Sequence, residues 1–298
     1  MSGAEHQDDG LVGRVRRADN AGVSIAYELR GDRGPWTLLV HGLGYGRLGW
    51  GAFADRLAVR RRLVLVDNRG IGASDQPVGP YRVEDLADDV RAVLDHFGLD
   101  RCDVIGASLG GMVALQLAAD QPSRVKRLVL IASTPGEPQG APLPGATTAL
   151  LRRDHRRVPP SPRRLIEGAL APETVRRRPG LVDRLLEVRA AQPQTVAAWR
   201  AQAAASVSFS LRAPLASIEV PTLAVAGLAD AVIDPMNTMR LAFAMPRARA
   251  LYVSPAGHLC FWEQPELLAD ATERFCDGEG TVHRAPAASR SGAEVPER

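Results

Sequence analysis

The sequence predicts an α/β fold, with a mostly parallel sheet flanked by helices and a helical segment inserted in its second half. Three observations carry this reading. Short apolar runs rich in branched side chains recur along the chain and end in Gly, Asp or Ser, as strands buried on both faces do. Amphipathic helical patterns separate these runs. The alternation then breaks over residues 135–214, where proline-rich stretches and arginine-studded helical patterns replace it.

Taken in order, Val12 to Val15 and Val23 to Leu29 read as two antiparallel strands that form an edge hairpin. The central strands are Trp36 to Val40, Leu63 to Val66, Cys102 to Ile105, Leu128 to Ile131 and Thr222 to Val225. Between the second and third of them, Val83 to Phe97 sets Leu86, Val90, Val93, Leu94 and Phe97 on one helical face. Asp85, Asp88, Asp89 and Arg91 fall on the face expected to meet solvent. Prolines at 135, 138, 142 and 144 and the run Val158-Pro159-Pro160 punctuate the inserted helical subdomain. A strand over Ala250 to Val253 and a last helix over Gln264 to Cys276 complete the pattern. The domain boundaries are therefore 1–19 for the N-terminal tail and start of the first strand, 20–134 and 215–277 for the core, and 135–214 for the insertion. The tail over 278–298 holds almost nothing apolar and is expected to be disordered.

Composition excludes whole classes of function. With 298 residues, 45% hydrophobic and 24% charged, and a net charge of +3, the chain can bury a large core. It is neither disordered throughout nor collagen-like. No apolar run approaches the roughly 20 residues needed to cross a bilayer, and the start MSGAEHQDDG lacks the pattern of an export signal. A cytoplasmic protein without a membrane partner is expected. Cys102, Cys260 and Cys276 are far apart and in no CxxC pair, so they read as buried, reduced thiols and not as a zinc site.

The chemistry is carried by Gly106-Ala107-Ser108-Leu109-Gly110-Gly111, which joins a strand to a strong helix former. A strand running straight into a helix forces a sharp turn whose apex tolerates only small neighbours two positions away. Gly106 and Gly110 occupy those positions around Ser108. The helix N-terminus, with its free N–H groups, then faces whatever the serine attacks. The pattern alone is also that of a glycine-rich helix cap, so a base and an orienting carboxylate must be found downstream.

Both are present. The strand from Thr222 leads to Gly227-Leu228-Ala229-Asp230, and the strand ending at Val253 leads to Pro255-Ala256-Gly257-His258. Among the other histidines, His6 and His283 lie in the tails, His96 in the Asp-rich helix, His155 in the insertion and His41 in a different motif. This leaves His258 as the base. Asp230 competes with Asp234, four residues on. Asp230 is favoured because it directly follows the strand-ending turn, whereas Asp234 precedes Pro235 and reads as a helix cap. The turn His41-Gly42-Leu43-Gly44 follows a strand and lets a backbone N–H, that of Leu43, meet the N–H of Leu109 as an oxyanion hole.

With these motifs in place, the chain resembles an α/β-hydrolase of the cap-bearing serine esterase, enol-lactonase and haloperoxidase-like type, over about residues 20–277. Asp67-Asn68-Arg69-Gly70-Ile71-Gly72-Ala73-Ser74-Asp75 is similar to the family's DxRGxGxSD loop. Gly227 to Pro235 is similar to its acid loop, with the proline displaced, and Gly257-His258 followed by Glu263-Gln264-Pro265 to its GH…EQP ending. The resemblance implies an eight-stranded sheet, a helical cap over 135–214, a Ser108–His258–Asp230 triad and no metal or organic cofactor. It also implies a small-molecule substrate and a monomer or homodimer. Ester and lactone hydrolysis lead the implied reactions. C–C bond hydrolysis, thioester hydrolysis, perhydrolysis and ligand reception without catalysis share the same machinery.

Other patterns compete. Gly44-Tyr45-Gly46-Arg47-Leu48-Gly49 is a literal GxGxxG after a strand, but a dinucleotide site would leave Ser108, Asp230 and His258 unexplained. Lys126 is the single lysine, and the arginines cluster in the insertion at 152, 153, 156, 157, 163, 164 and 176–178. They read as a solvated helix face, as anchors for a substrate carboxylate, or as a nucleic-acid surface; no nucleic-acid motif accompanies them. Trp50, Phe53, Phe261 and Trp262 read as core or as pocket lining.

Overall fold

The computed structural model describes residues 13–152 and 161–278. One eight-stranded sheet runs β1 (Val15–Asn20), β2 (Val23–Arg30), β4 (Arg62–Val66), β3 (Trp36–Val40), β5 (Cys102–Ala107), β6 (Val125–Ile131), β7 (Thr222–Gly227), β8 (Ala248–Val253) in spatial order. β1 and β2 are antiparallel additions at one edge, and every pairing from β4 onward is parallel.

The parallel strands send alternate side chains to two cores, as a period of two requires. Leu38 and Val40, with Val64 and Val66, meet α2 (Val83–Phe97) and α3 (Leu109–Asp120) on one face. Leu39, with Leu63 and Leu65, meets α1 (Gly51–Leu57) on the other, where the closing helices α10 (Cys260–Glu263) and α11 (Pro265–Cys276) also lie. Between β6 and β7 come α4 (Gly145–Arg152), α5 (Pro162–Ala169), α6 (Pro172–Arg177), α7 (Pro179–Ala190) and α8 (Val196–Ser208). α9 (Met236–Ala244) links β7 to β8. Among the described residues no helix is long and apolar enough to cross a membrane.

Two expectations are corrected. The first strand is Val15–Asn20, not Val12 to Val15, and Val12 lies outside the described residues. The two-residue turn Ala21-Gly22, with φ of 50° and 83°, locks Asn20 opposite Val23 and so extends the pairing through a polar segment. An edge strand needs one apolar contact face, and Ala18 is its sole buried side chain. Asp89, placed on the solvent face of its helix, is buried, with its carboxylate 2.5 and 2.6 Å from the Arg69 guanidinium and 2.8 Å from Asn20 Nδ2. These partners come from β1 and from the loop after β4, which helical periodicity cannot reveal.

The three cysteines are buried and unpaired, and burial pushes Cys102 and Cys276 up to about 12 and Cys260 higher still. The tail over 279–298, the N-terminal residues 1–12, and Arg153, His155, Arg156, Arg157 and Val158-Pro159-Pro160 lie outside the described residues.

Candidate active site

Ser108 sits at the apex between β5 and α3 with φ 54° and ψ −120°, a conformation that costs a non-glycine residue on the order of 1–3 kcal/mol. Its neighbours hold it there. A Cβ on Gly106 would lie 2.3 Å from the Gly110 carbonyl oxygen, and one on Gly110 would lie 2.0 Å from that of Val40. The Ser108 N–H donates to Ile131 O at 2.9 Å, tying the apex to β6.

Asp230 and His258 leave the C-terminal ends of β7 and β8, adjacent parallel strands. Their loops are joined by Leu228 N–H to Val253 O at 2.9 Å and Ala229 N–H to Ala256 O at 2.8 Å. A Cβ on Gly227 would meet the Gly257 carbonyl oxygen at 2.2 Å, so this close approach needs glycine. As a result His258 Nδ1 lies 2.8 Å from Asp230 Oδ2, with both residues buried. Asp230 Oδ1 accepts from the N–H groups of Val232 and Ile233 at 2.8 and 3.0 Å, which fixes the carboxylate plane. Asp234 is exposed and its Oδ1 accepts from Met236 N–H at 2.9 Å, at the start of α9.

Ser108 and His258 line one cavity together with His41, Gly42 and Leu43. No hydrogen bond joins Ser108 Oγ to His258 among the described residues; such contacts commonly tighten when substrate binds. Leu109 opens α3, and the N–H groups of Leu43 and Leu109 donate to no group among the described residues. Gly42 lets the loop lie against the serine, since a Cβ there would sit 2.8 Å from Ser108 Cβ. Helices α4, α5, α7 and α8 close the cavity opposite Ser108 through Thr147, Leu150, Ile166, Arg189 and Trp199.

His41 shapes the turn without facing a proton acceptor in the cavity. Its Nδ1 accepts from Gly42 N–H at 2.7 Å, so Nε2 carries the proton and donates to Gly49 O at 3.0 Å. The ring packs edge-to-face against Trp50 and Phe261, and burial lowers its pKa from 6.5 to about 3. Folding thus releases the proton that the unfolded chain binds below pH 6.5, and the neutral ring's stabilisation is lost as pH falls from 6.5 towards 3. Between about pH 7 and pH 5 this amounts to about 2 kcal/mol. Urea unfolding at those two pH values should show that increment in the native protein and lose it in His41→Gln.

Glu263, in the GH…EQP segment, is a positioning residue that the sequence marked only as part of a motif. It is buried; one carboxylate oxygen accepts from Ala171 N–H at 2.8 Å and the other from Gly257 N–H, beside His258. Glu263→Gln leaves one of these N–H groups without an acceptor. A loss of about 1–3 kcal/mol of stability is expected, read by urea unfolding.

The glycine-rich stretch after β3 holds the protein's own side chains. A Cβ on Gly46 would sit 2.1 Å from Asp67 Oδ1, and one on Gly49 would sit 2.8 Å from the His41 ring. Trp50, Phe53 and Trp262 pack in the core, whereas Phe261 packs there and also touches the cavity. Among the described arginines of the cluster, Arg163 pairs with Asp183, and Arg152, Arg164, Arg176, Arg177 and Arg178 are exposed. Among the described residues, the arginine that reaches the cavity is Arg189, which sequence reasoning did not single out. Among the described residues no group of His, Cys, Asp or Glu side chains could hold a metal ion.

A family profile for the α/β hydrolase fold matches residues 35–265. The chain belongs to the α/β-hydrolase family. It is 30% identical over 256 residues to a pimeloyl-acyl-carrier-protein methyl ester esterase of Pectobacterium atrosepticum, covering 85% of this chain and 98% of that one. A hydrolase from Pseudomonas aeruginosa PA01 superposes with a TM-score of 0.75 at 30% identity over 88% of this chain and 98% of its own. An N-acyl homoserine lactone degrading enzyme gives 0.75 at 28% identity, over 87% and 100% of the two chains. In this α/β hydrolase the motifs around Ser108, Asp230 and His258 all fall at the C-terminal edge of the parallel strands, where open α/β sheets place their ligands.

Proposed function

We propose that the protein is a serine hydrolase of small carboxylic esters or lactones. The observation that carries this is the buried 2.8 Å contact between His258 Nδ1 and Asp230 Oδ2, with His258 lining the same cavity as the strained Ser108. Family membership and the ester- and lactone-cleaving relatives support it.

In the reaction, Ser108 Oγ attacks the carbonyl carbon while His258 Nε2 takes the hydroxyl proton. Asp230 holds Nδ1–H and stabilises the imidazolium. The carbonyl oxygen becomes an oxyanion received by the N–H groups of Leu43 and Leu109. His258 returns the proton to the leaving alcohol, and an acyl-enzyme remains on Ser108. Water activated by the same imidazole then attacks it and releases the acid. In a lactone the leaving alcohol stays tethered to the acyl group. The helices of 135–214 form the cap that excludes water and sets specificity.

The test is a panel of p-nitrophenyl esters, lactones and vinylogous diketones on the purified protein, with a fluorophosphonate adduct mapped by mass spectrometry. Turnover of esters or lactones with the adduct on Ser108 is expected. An adduct elsewhere, or turnover restricted to diketones, would overturn the reading.

A further inference from the structure

Arg189, on α7, projects its guanidinium onto the turn that carries Leu43. A Cβ on Gly44 would lie 2.7 to 2.9 Å from the guanidinium atoms, and Gly44 adopts φ 80°, so glycine there makes room for the arginine. Gly42, two residues earlier, touches Ser108. Two peptide units span at most about 7.6 Å. The turn thus runs from the serine to the guanidinium, and Arg189 lines the same cavity as Ser108 and His258.

Arg189 has no carboxylate partner among the described residues, unlike Arg47, Arg61 and Arg69, which all pair with buried aspartates. Its partner is Tyr45: the guanidinium carbon lies 5.7 Å from the ring centroid, and the guanidinium also interacts electrostatically with the phenol oxygen. Burial lowers its pKa and raises that of Tyr45 to about 12, which keeps the phenol protonated as a donor. The Tyr45 hydroxyl is buried in the cavity wall, beside the guanidinium, yet makes no hydrogen bond of ordinary geometry. A half-buried fork of N–H donors beside a buried hydroxyl, both on residues that line the cavity holding Ser108, fits a planar anion with two oxygens.

We propose that Arg189 and Tyr45 bind a substrate carboxylate, so that the substrate is an ester or lactone bearing a second, free carboxylate. This inference rests on the hydrolase reading of Ser108. Among the described residues, the other groups that line the cavity near Ser108 are largely apolar, including Leu43, Met112, Ile166 and Leu259, and Arg189 is the permanently charged side chain on its wall.

The experiment compares kcat/KM for the mono-p-nitrophenyl esters of succinate, glutarate and adipate with those of the neutral p-nitrophenyl esters of equal chain length. The native protein should favour at least one anionic ester by about tenfold or more, and Arg189→Met should lower that ratio by about tenfold. Tyr45→Phe, which removes the orphan hydroxyl, should lower it by roughly threefold. A native ratio near unity at all three lengths, or a ratio unchanged in Arg189→Met, overturns the proposal. Should Arg189→Met fail to fold by circular dichroism, Arg189→Lys keeps the charge and removes the fork; an unchanged ratio in both Arg189→Lys and Tyr45→Phe also overturns it. Absence of ester turnover and of fluorophosphonate labelling in the native protein would instead mark failure of the hydrolase reading. Calorimetry with monomethyl against dimethyl glutarate then reads the anchor without chemistry. Tighter binding of the monoanion supports the proposal and equal binding overturns it.

Discussion

Ser108→Ala is expected to lower the turnover of a short p-nitrophenyl ester by on the order of 10⁴-fold or more and to abolish labelling by a fluorophosphonate. The apex conformation at φ 54° belongs to the backbone and to Gly106 and Gly110, so alanine keeps the fold and removes the nucleophile alone. The free N–H groups of Leu43 and Leu109 stay in place, which is why a residual rate above that of water should persist. Circular dichroism of the variant should match that of the native protein. Retained turnover would show that another group attacks the carbonyl.

Asp230→Asn is expected to reduce kcat by about 10⁴-fold, while Asp234→Asn should change it by less than about threefold. An amide at 230 can still accept from Val232 and Ile233, so the loop keeps its shape. Its NH₂ group, however, would face Nδ1 of His258 and favour the tautomer that puts the proton on Nε2, where the serine's proton must go. Asp234 is exposed at the start of α9 and its loss removes a cap. Steady-state kinetics of the two variants side by side decide between them. A larger loss in Asp234→Asn would transfer the role to that carboxylate.

Much of this site is readable from local sequence because its parts are local. The run Gly106 to Gly111 is a strand, a turn and a helix start within a few residues, and sterics allow little besides glycine at its flanks. Asp230 and His258 each follow a short apolar strand, and their chain order after Ser108 suggests the pairing. The turn chemistry favours Asp230 over Asp234, and the tertiary structure adds the physical reason: the zipper between the loops after β7 and β8 turns one carboxylate inward and leaves the other at a helix start.

The parts that escaped sequence reasoning are those whose partners lie far along the chain. Asp89 carries a charge on a helix whose periodicity assigns it to solvent, and only the approach of Arg69 and Asn20 makes its burial tolerable. Arg189 is one arginine among many in a basic insertion, distinguished solely by the gap that Gly44 leaves and by the Tyr45 ring. Periodicity and turn chemistry, which act over a few residues, were enough to read an alternating α/β architecture, the elbow at Ser108 and the candidate acid and base. Which charges are buried, which hydroxyl lacks a partner and which arginine enters the cavity depended on contacts across the sheet and between α7 and the turn after β3. Burial and electrostatic pairing are properties of neighbours in space, and the folded chain is what sets those neighbours.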